Sequence, residues 1–434
     1  MIITYGLYKS KRSKARCKPY CDNIKFMRRV VVTGIGTVNP LGNSLALSWD
    51  AAKSARSGIT AVTRIDATDL EWKVAGELKE FQPLDFLTPK EKNRIDSFVQ
   101  YAVSAAMMAV EDAFVDTNML EKGGVFIGSS RGGISTIEKA LKKLYSESHH
   151  KRKRLSAYLM PATTVSMAAT QVSQKLGIEG HCLGISNACT SGTNAIGEAY
   201  RYIKHGYADL ILCGGAEAPI SEICITGYGS SGALSRINAQ DASRPFDRTR
   251  DGFVLAEGAT ILVLESYEEA MKRNAKIYGE IIGYGNSADA YHQTVPSREG
   301  ETRAIQAAIT EAKLTYADIS LIYAHGTSTP IGDRIETEAI KTVFQERAYI
   351  VPVSAIKSMT GHMLAASGAL EGAFALMSLK EGIILPTINL REHDPVCDIS
   401  YVSELKNVGL QHVLSHSFGF GGVNAVLVFK KWDA

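Results

Sequence analysis

Several things are scarce in this 434-residue chain, and each scarcity closes off a class of function. No stretch is apolar for the roughly 20 residues a bilayer-crossing helix needs. The formal net charge is only +3, too small for a dedicated nucleic-acid binder, although local basic patches can still meet an acidic partner. Cysteine is sparse and odd in number, seven in all at 17, 21, 182, 189, 213, 224 and 397, mostly inside apolar runs. That pattern fits free thiols in a reducing compartment rather than a disulfide framework. Cys17 and Cys21 lack a second Cys/His pair at zinc spacing, so no metal site is expected. The P-loop signature G-x-x-x-x-G-K-[ST] is missing, which removes that route to nucleotide binding.

The first 26 residues stand apart. Lys9, Lys11, Arg12, Lys14, Arg16, Lys18 and Lys25 face one acid, Asp22, and no apolar signal-peptide core follows. The segment reads as an artefact of upstream translation, a flexible arm or a poor transit peptide. Only the last would move the protein from the cytoplasm to an organelle. A clean start comes at Met27, where "MRRVVVTGIG" opens a strand.

What is present from there on is an α/β pattern. Short β-branched runs such as "GGVFIGSS", "LILCGGAEA", "GATILVLES", "SLIYAHGTS" and "NAVLVFKK" alternate with helical periodicity, the mark of mostly parallel, buried strands with helical crossovers. The charged segment "SYEEAMKRNAK", residues 266 to 276, is followed by a fresh series of strands. The chain therefore divides into similar halves, 27–276 and 277–434. "SESHHKRKRLSAYL", residues 146 to 159, reads as a solvated polar face, with a dock for an acidic partner as the alternative.

Two glycine-rich turns act as decoys. "GIGTVN" at 34 to 39 follows a strand, but Asn39 occupies the place of the third glycine a dinucleotide loop needs. "GSSRG" at 128 to 132 fits G-x-S-x-G, so Ser130 as a hydrolase nucleophile is the rival from another reaction class. Nothing singles out its acid and histidine partners.

The stronger constellation surrounds Cys189. "HCLGISNA" reads as a strand and turn, and Ala195, Ile196, Ala199, Tyr200 and Ile203 then recur at helical spacing. This places Cys189 at a helix N-terminus, where unpaired N–H groups and the helix dipole favour thiolate. A buried structural cysteine is the bland alternative. "LIYAHGTSTPIGD" ends a strand at His325, and "VPVSAIKSMTGHMLAASGALEGA" ends one near Lys357 and starts a helix at His362. Functional groups in α/β sheets gather beyond the carboxyl ends of strands, so these four residues are candidates for one site.

The blocks "NACTSG", "AHGTSTPIGD", "KSMTGHMLAASG" and "SFGFGGVNA", in that order, resemble the signatures of the elongating β-ketoacyl-[acyl-carrier-protein] synthases, those of the synthase II kind above all. The resemblance runs from about Met27 to the end. It implies a thiolase-like fold, two similar α/β halves in a five-layer αβαβα arrangement, acting as a homodimer in the cytoplasm. It implies a transferase of fatty-acid elongation that works with an acyl carrier protein. No cofactor of the enzyme's own is implied, because the phosphopantetheine arm arrives on the carrier. It assigns the acyl-carrying nucleophile to Cys189, support of malonyl decarboxylation and condensation to His325 and His362, and an electrostatic role to Lys357 paired with Glu336. Thr327 and Thr329 would hold the arm. Phe420 would gate the acyl pocket, with Gly419 and Gly421 as hinge and the loop's N–H groups completing an oxyanion hole.

Within the superfamily, initiating synthases pair Cys with His and Asn, and degradative thiolases with His and a second Cys, whereas His362 in "TGH" points to the decarboxylating, elongating type. A non-catalytic chain-length-factor subunit would lack the nucleophile. A ketosynthase of a type II polyketide or polyene pathway shares every block and stays open as an alternative. Lys90 and Arg94 in "TPKEKNRIDSF" are candidate carrier-protein contacts, with Lys151 to Arg154 as an extension of the patch. His416 departs from the family, which usually carries Asn there.

Overall fold

The structure, a computed structural model, describes residues 27–145 and 154–433. The basic extension 1–26 and Lys151, Arg152 and Lys153 lie outside the described residues.

Ten strands form the main sheet: Val30–Val38 (β1), Gly124–Gly128 (β2), Cys182–Ile185 (β3), Leu210–Glu217 (β4), Gly258–Ser266 (β5), Gly279–Ala288 (β6), Leu321–Tyr323 (β7), Val353–Ser354 (β8), His412–Gly419 (β9) and Val423–Lys431 (β10). Their order is β8-β7-β9-β10-β6-β1-β5-β4-β2-β3. Each half supplies five strands in the same relative order, mirrored about the β6–β1 junction, where only Val30 to Val32 pair with Ile281 to Gly279.

The expectation of a mostly parallel sheet is corrected here. Five of the nine pairings are antiparallel, and four are parallel. Strands buried on both faces carry continuous apolar runs whatever their direction, so the sequence pattern could not separate the two. β1 and β5 are buried along their whole length.

Two helices occupy the centre, Ser191–Lys204 (α1) and Ser367–Glu381 (α2). They touch each other, and they pack on strands of both halves. Every residue of α2 from Ser367 to Leu379 is buried, which explains its lack of a polar face. Outer helices such as Ser97–Ala113 on the first half and Arg298–Glu311 on the second complete the five layers. The close approach of α1 to β2 depends on Gly128, where a Cβ would stand 2.3 Å from the Ser191 backbone. Both inner helices start at the same end of the molecule, and the turns leading into them carry Cys189 and His362.

Candidate active site

The turn between β3 and α1 is built from small and hydroxylic residues that bond within the turn. Asn187 carbonyl oxygen accepts from the Thr190 backbone N–H (3.2 Å) and hydroxyl (2.7 Å). Ser191 Oγ donates to the Ala188 carbonyl (2.6 Å) and accepts from Asn187 N–H (2.8 Å). These bonds hold Ala188 at φ 49°, a left-handed conformation costly for a residue with a Cβ. The strained elbow pushes Cys189 out one residue before the helix N-cap, Thr190, so its thiol faces a cavity of about 390 Å³.

The opposite wall comes from the second half. His362 meets Cys189 Sγ through Nε2 at 3.1 Å and Ser367 Oγ through Nδ1 at 3.1 Å. Ser367 Oγ in turn accepts from the Met363 N–H (2.9 Å). The His325 ring lies edge-to-face with that of His362 at 5.3 Å. Its backbone is fixed by Glu336, whose two oxygens accept from the N–H groups of His325 and Gly326, each at 2.8 Å. Lys357 Nζ donates to the His325 carbonyl (2.7 Å) and stands 3.4 Å from its Nδ1. A ring that accepts at Nδ1 carries its proton on Nε2.

The expected Lys357–Glu336 pair is not formed. Lys357 is ion-paired with Glu371 of α2, while Glu336 is spent on the His325 loop and on His416 Nδ1 at 3.0 Å. The following helix starts at Ser367 rather than His362, because Lys357–Thr360 forms a separate short turn and His362 bridges to Leu255.

The thiolate that the helix terminus favours is opposed by burial. Burial pushes the Cys189 thiol up to about 11, outweighing the nearby Lys357 charge and the contact from the Phe420 backbone N–H, both of which favour thiolate. Burial, reinforced by Lys357, holds His325 and His362 well below the usual imidazole range. Burial thus favours a neutral thiol beside two neutral imidazoles. The ion pair beneath them is itself under strain from burial, which pushes the Glu371 carboxyl up to about 7 against the pull of Lys357.

The glycine loop crosses the cavity between β9 and β10. Gly421 and Gly422 have φ of 86° and 69°. Gly419 has no such requirement; a Cβ there would stand 3.3 Å from the Cys189 backbone nitrogen, so its use is room rather than hinge freedom. The loop is stapled to the segment after β6 by Gly421 N–H to the Gln293 carbonyl and Asp289 N–H to the Gly422 carbonyl, both 2.8 Å. The Phe420 ring packs against Tyr228 at 6.4 Å.

Thr327 and Thr329 line the same cavity, their hydroxyls 3.0 Å apart. Lys90 and Arg94 do not line it; Arg94 sits over the Tyr158 ring at 4.5 Å on the outer surface. Ser130 donates to buried Glu217 at 2.7 Å and has no imidazole partner among the described residues, so the hydrolase reading falls. Sequence reasoning passed over Glu371, Ser367 and Glu301. The first had a signal, a lone acid in the apolar run "SGALEGAFAL". Ser367 had none beyond its spacing from His362.

Comparison with known proteins agrees with this geometry. Residues 27–270 match the β-ketoacyl synthase N-terminal domain and residues 278–391 its C-terminal domain. The chain is 45% identical over 413 residues to the 3-oxoacyl-[acyl-carrier-protein] synthase 2 of Staphylococcus aureus (strain COL), spanning 94% of this chain and 99% of the relative. A β-ketoacyl synthase from Burkholderia phymatum STM815 superposes with a TM-score of 0.87 at 34% identity, covering 94% and 100% of the two chains. The type II polyketide ketosynthase AntDE, solved with its acyl carrier protein AntF and a bound hexaketide, gives 0.86 at 32% identity with the same coverage. The chain belongs to the β-ketoacyl synthase family, and its fold is that family's thiolase-like fold.

Proposed function

We propose that the chain is a 3-oxoacyl-[acyl-carrier-protein] synthase of the elongating kind, condensing an acyl chain held on Cys189 with malonyl-ACP to give β-ketoacyl-ACP, CO2 and free carrier protein. The observation that carries this reading is the 3.1 Å Cys189–His362 contact with a second, neutral histidine alongside. The likeness to synthase 2 enzymes at 45% identity supports fatty-acid elongation. A type II polyketide role comes second, favoured by the AntDE likeness at 32% identity.

In the first half-reaction Cys189 Sγ attacks the acyl thioester carbon while its proton passes to His362 Nε2, the base within reach. The departing carrier thiolate takes that proton back. The Cys189 and Phe420 backbone N–H groups receive the oxyanion. In the second half-reaction the malonyl C–C bond breaks, CO2 leaves, and the electron pair forms an enolate whose oxygen accepts hydrogen bonds from the imidazoles. Neutral rings supply these donors without burying a second cation beside Lys357. His325 already carries its proton on Nε2, and His362, left with its proton on Nδ1 once the carrier thiolate has gone, moves it to Nε2 by tautomer exchange before the malonyl group is decarboxylated. The enolate carbon then attacks the Cys189 thioester and expels the Cys189 thiolate, which takes up one proton from solvent to restore the thiol.

Thr327 and Thr329 hold the phosphopantetheine arm, and no cofactor of the enzyme's own is needed. The halves 27–276 and 277–434 act as one unit. Homodimerisation is supported by β3, a sheet-edge strand with Leu183 40% exposed and unpaired backbone on its outer side. No helix among the described residues is long and apolar enough to cross a membrane, and we place the enzyme in the cytoplasm.

Intact-protein mass spectrometry after incubation with acyl-ACPs of graded length tests the reading. An acyl adduct on the wild type and none on Cys189→Ala is expected; no adduct from any donor would overturn it. In the same series Phe420→Ala should blur the preference among acyl lengths, and Lys90→Glu or Arg94→Glu should slow loading most at low salt.

A further inference from the structure

The cavity has two chemically different ends. Around Cys189 it is lined by Tyr228, Phe253, Leu364 and Ala233, and this side continues into an apolar cluster that includes Cys224 and Ile225. Beyond the glycine loop it is lined instead by Thr294, Thr327, Thr329, Asp333, Glu336 and Glu301. Two of the three acids at this end are fully engaged. Glu336 accepts from His325, Gly326 and His416. Asp333 accepts from Phe246 N–H and Ser328 N–H and pairs with Arg250.

Glu301 differs. It projects from the first turns of Arg298–Glu311 and is 1% exposed, yet its Oε2 is buried with no hydrogen-bond partner. A buried polar atom left unpaired costs on the order of 1–3 kcal/mol in general, so its retention at a cavity wall calls for a use. Burial and the negative charges of Glu336, Asp289, Glu338 and Asp333 hold this carboxyl well above the ordinary range, so it is a neutral acid and a hydrogen-bond donor.

We propose that Glu301 is a specificity-determining residue of the condensation, its carboxyl donating a hydrogen bond to the carboxylate of the malonyl group. The inference rests on the ketosynthase reading above. An acyl chain seeks the apolar end of the cavity, whereas a malonyl unit brings an anion that needs a donor at the polar end. The hydroxyls of Thr327 and Thr329 there bond each other, and in the proposed reading they hold the arm; Glu301 is the acid with an unspent proton. The proton stays on Glu301 throughout, since the carboxylate it contacts departs as CO2. Because CO2 is a far poorer acceptor, the bond is strong in the bound substrate and lost on the way to the transition state. Its removal therefore weakens malonyl binding without lowering the rate of the bond-breaking step.

The test is steady-state condensation with malonyl-ACP, run beside mass-spectrometric loading of Cys189 in the same preparations. Glu301→Ala is expected to raise KM for malonyl-ACP about tenfold with kcat retained, and Glu301→Gln, which keeps an N–H donor, to restore KM to within about threefold of wild type. A malonyl KM within twofold of wild type in Glu301→Ala, or a loss confined to kcat, would overturn the inference. If Glu301→Ala fails to fold, Glu301→Leu replaces it, and an unchanged malonyl KM there is equally fatal. Absence of a Cys189 adduct in the wild type would sink the ketosynthase reading instead, so the two failures are distinguishable.

Discussion

The two turns that lead into the central helices face each other across the cavity, and they are built on opposite principles. The turn before α1 places Cys189 with backbone strain at Ala188 and short hydroxyl bonds among Asn187, Thr190 and Ser191, without a single charged side chain of its own. The segment before α2 places His362 and His325 through a buried ionic framework, Lys357 with Glu371 and Glu336 on the His325 loop. A nucleophile must be exposed at a fixed angle and kept uncharged until its substrate arrives, which local geometry can do. Two imidazoles that must stay neutral in a buried site need a permanent positive neighbour, and that neighbour needs its own counter-ion.

The largest effects should separate the two histidines. His362 touches the cysteine, and in the proposed mechanism it serves both half-reactions whereas His325 serves the second alone. His325→Ala is expected to lower condensation by about 10²–10³-fold while slowing Cys189 loading less than about tenfold, and His362→Ala to impair both steps. Rapid-quench loading and a condensation assay read the two numbers; equal losses in both steps for both variants would erase the distinction.

A smaller effect contrasts the means by which the two turns are held. Lys357→Met strands Glu371 in the core and is expected to destabilise the protein by about 3–5 kcal/mol. Ser191→Ala removes two short hydroxyl bonds from the cysteine turn and should cost about 1–2 kcal/mol. Denaturant unfolding of the two variants side by side checks the order, and a Ser191→Ala loss equal to that of Lys357→Met would show that the first turn is no less demanding.

The legible parts of this molecule were those fixed by local pattern. "NACTSG" and "AHGTSTPIGD" announce strand-to-helix turns through small residues and glycine, and the structure brings Cys189, His325 and His362 to one cavity, with Lys357 buried behind His325 rather than lining it. Long-range pairing was harder to see. The partner of Lys357 is Glu371, 14 residues on and inside a helix, rather than Glu336, and only the way α2 threads the centre of the fold decides between them. Strand direction was hidden for a related reason, since burial on both faces gives the same apolar run to a parallel and an antiparallel strand. The sequence shows the helix terminus beside Cys189 but not the depth at which the thiol lies, and that burial pushes the thiol up, against the pull of the terminus.

That depth is the centre of the account, and the pH dependence of Cys189 alkylation tests it most directly. Iodoacetamide labelling followed residue by residue through peptide mapping, to separate Cys189 from the exposed Cys182, gives the thiol's titration. The neutral thiol predicts a rate still rising through the alkaline range, with its inflection towards about 11. A plateau already reached below about pH 7 would mean a resting thiolate facing a charged imidazole, well under the ordinary cysteine range, and would contradict it.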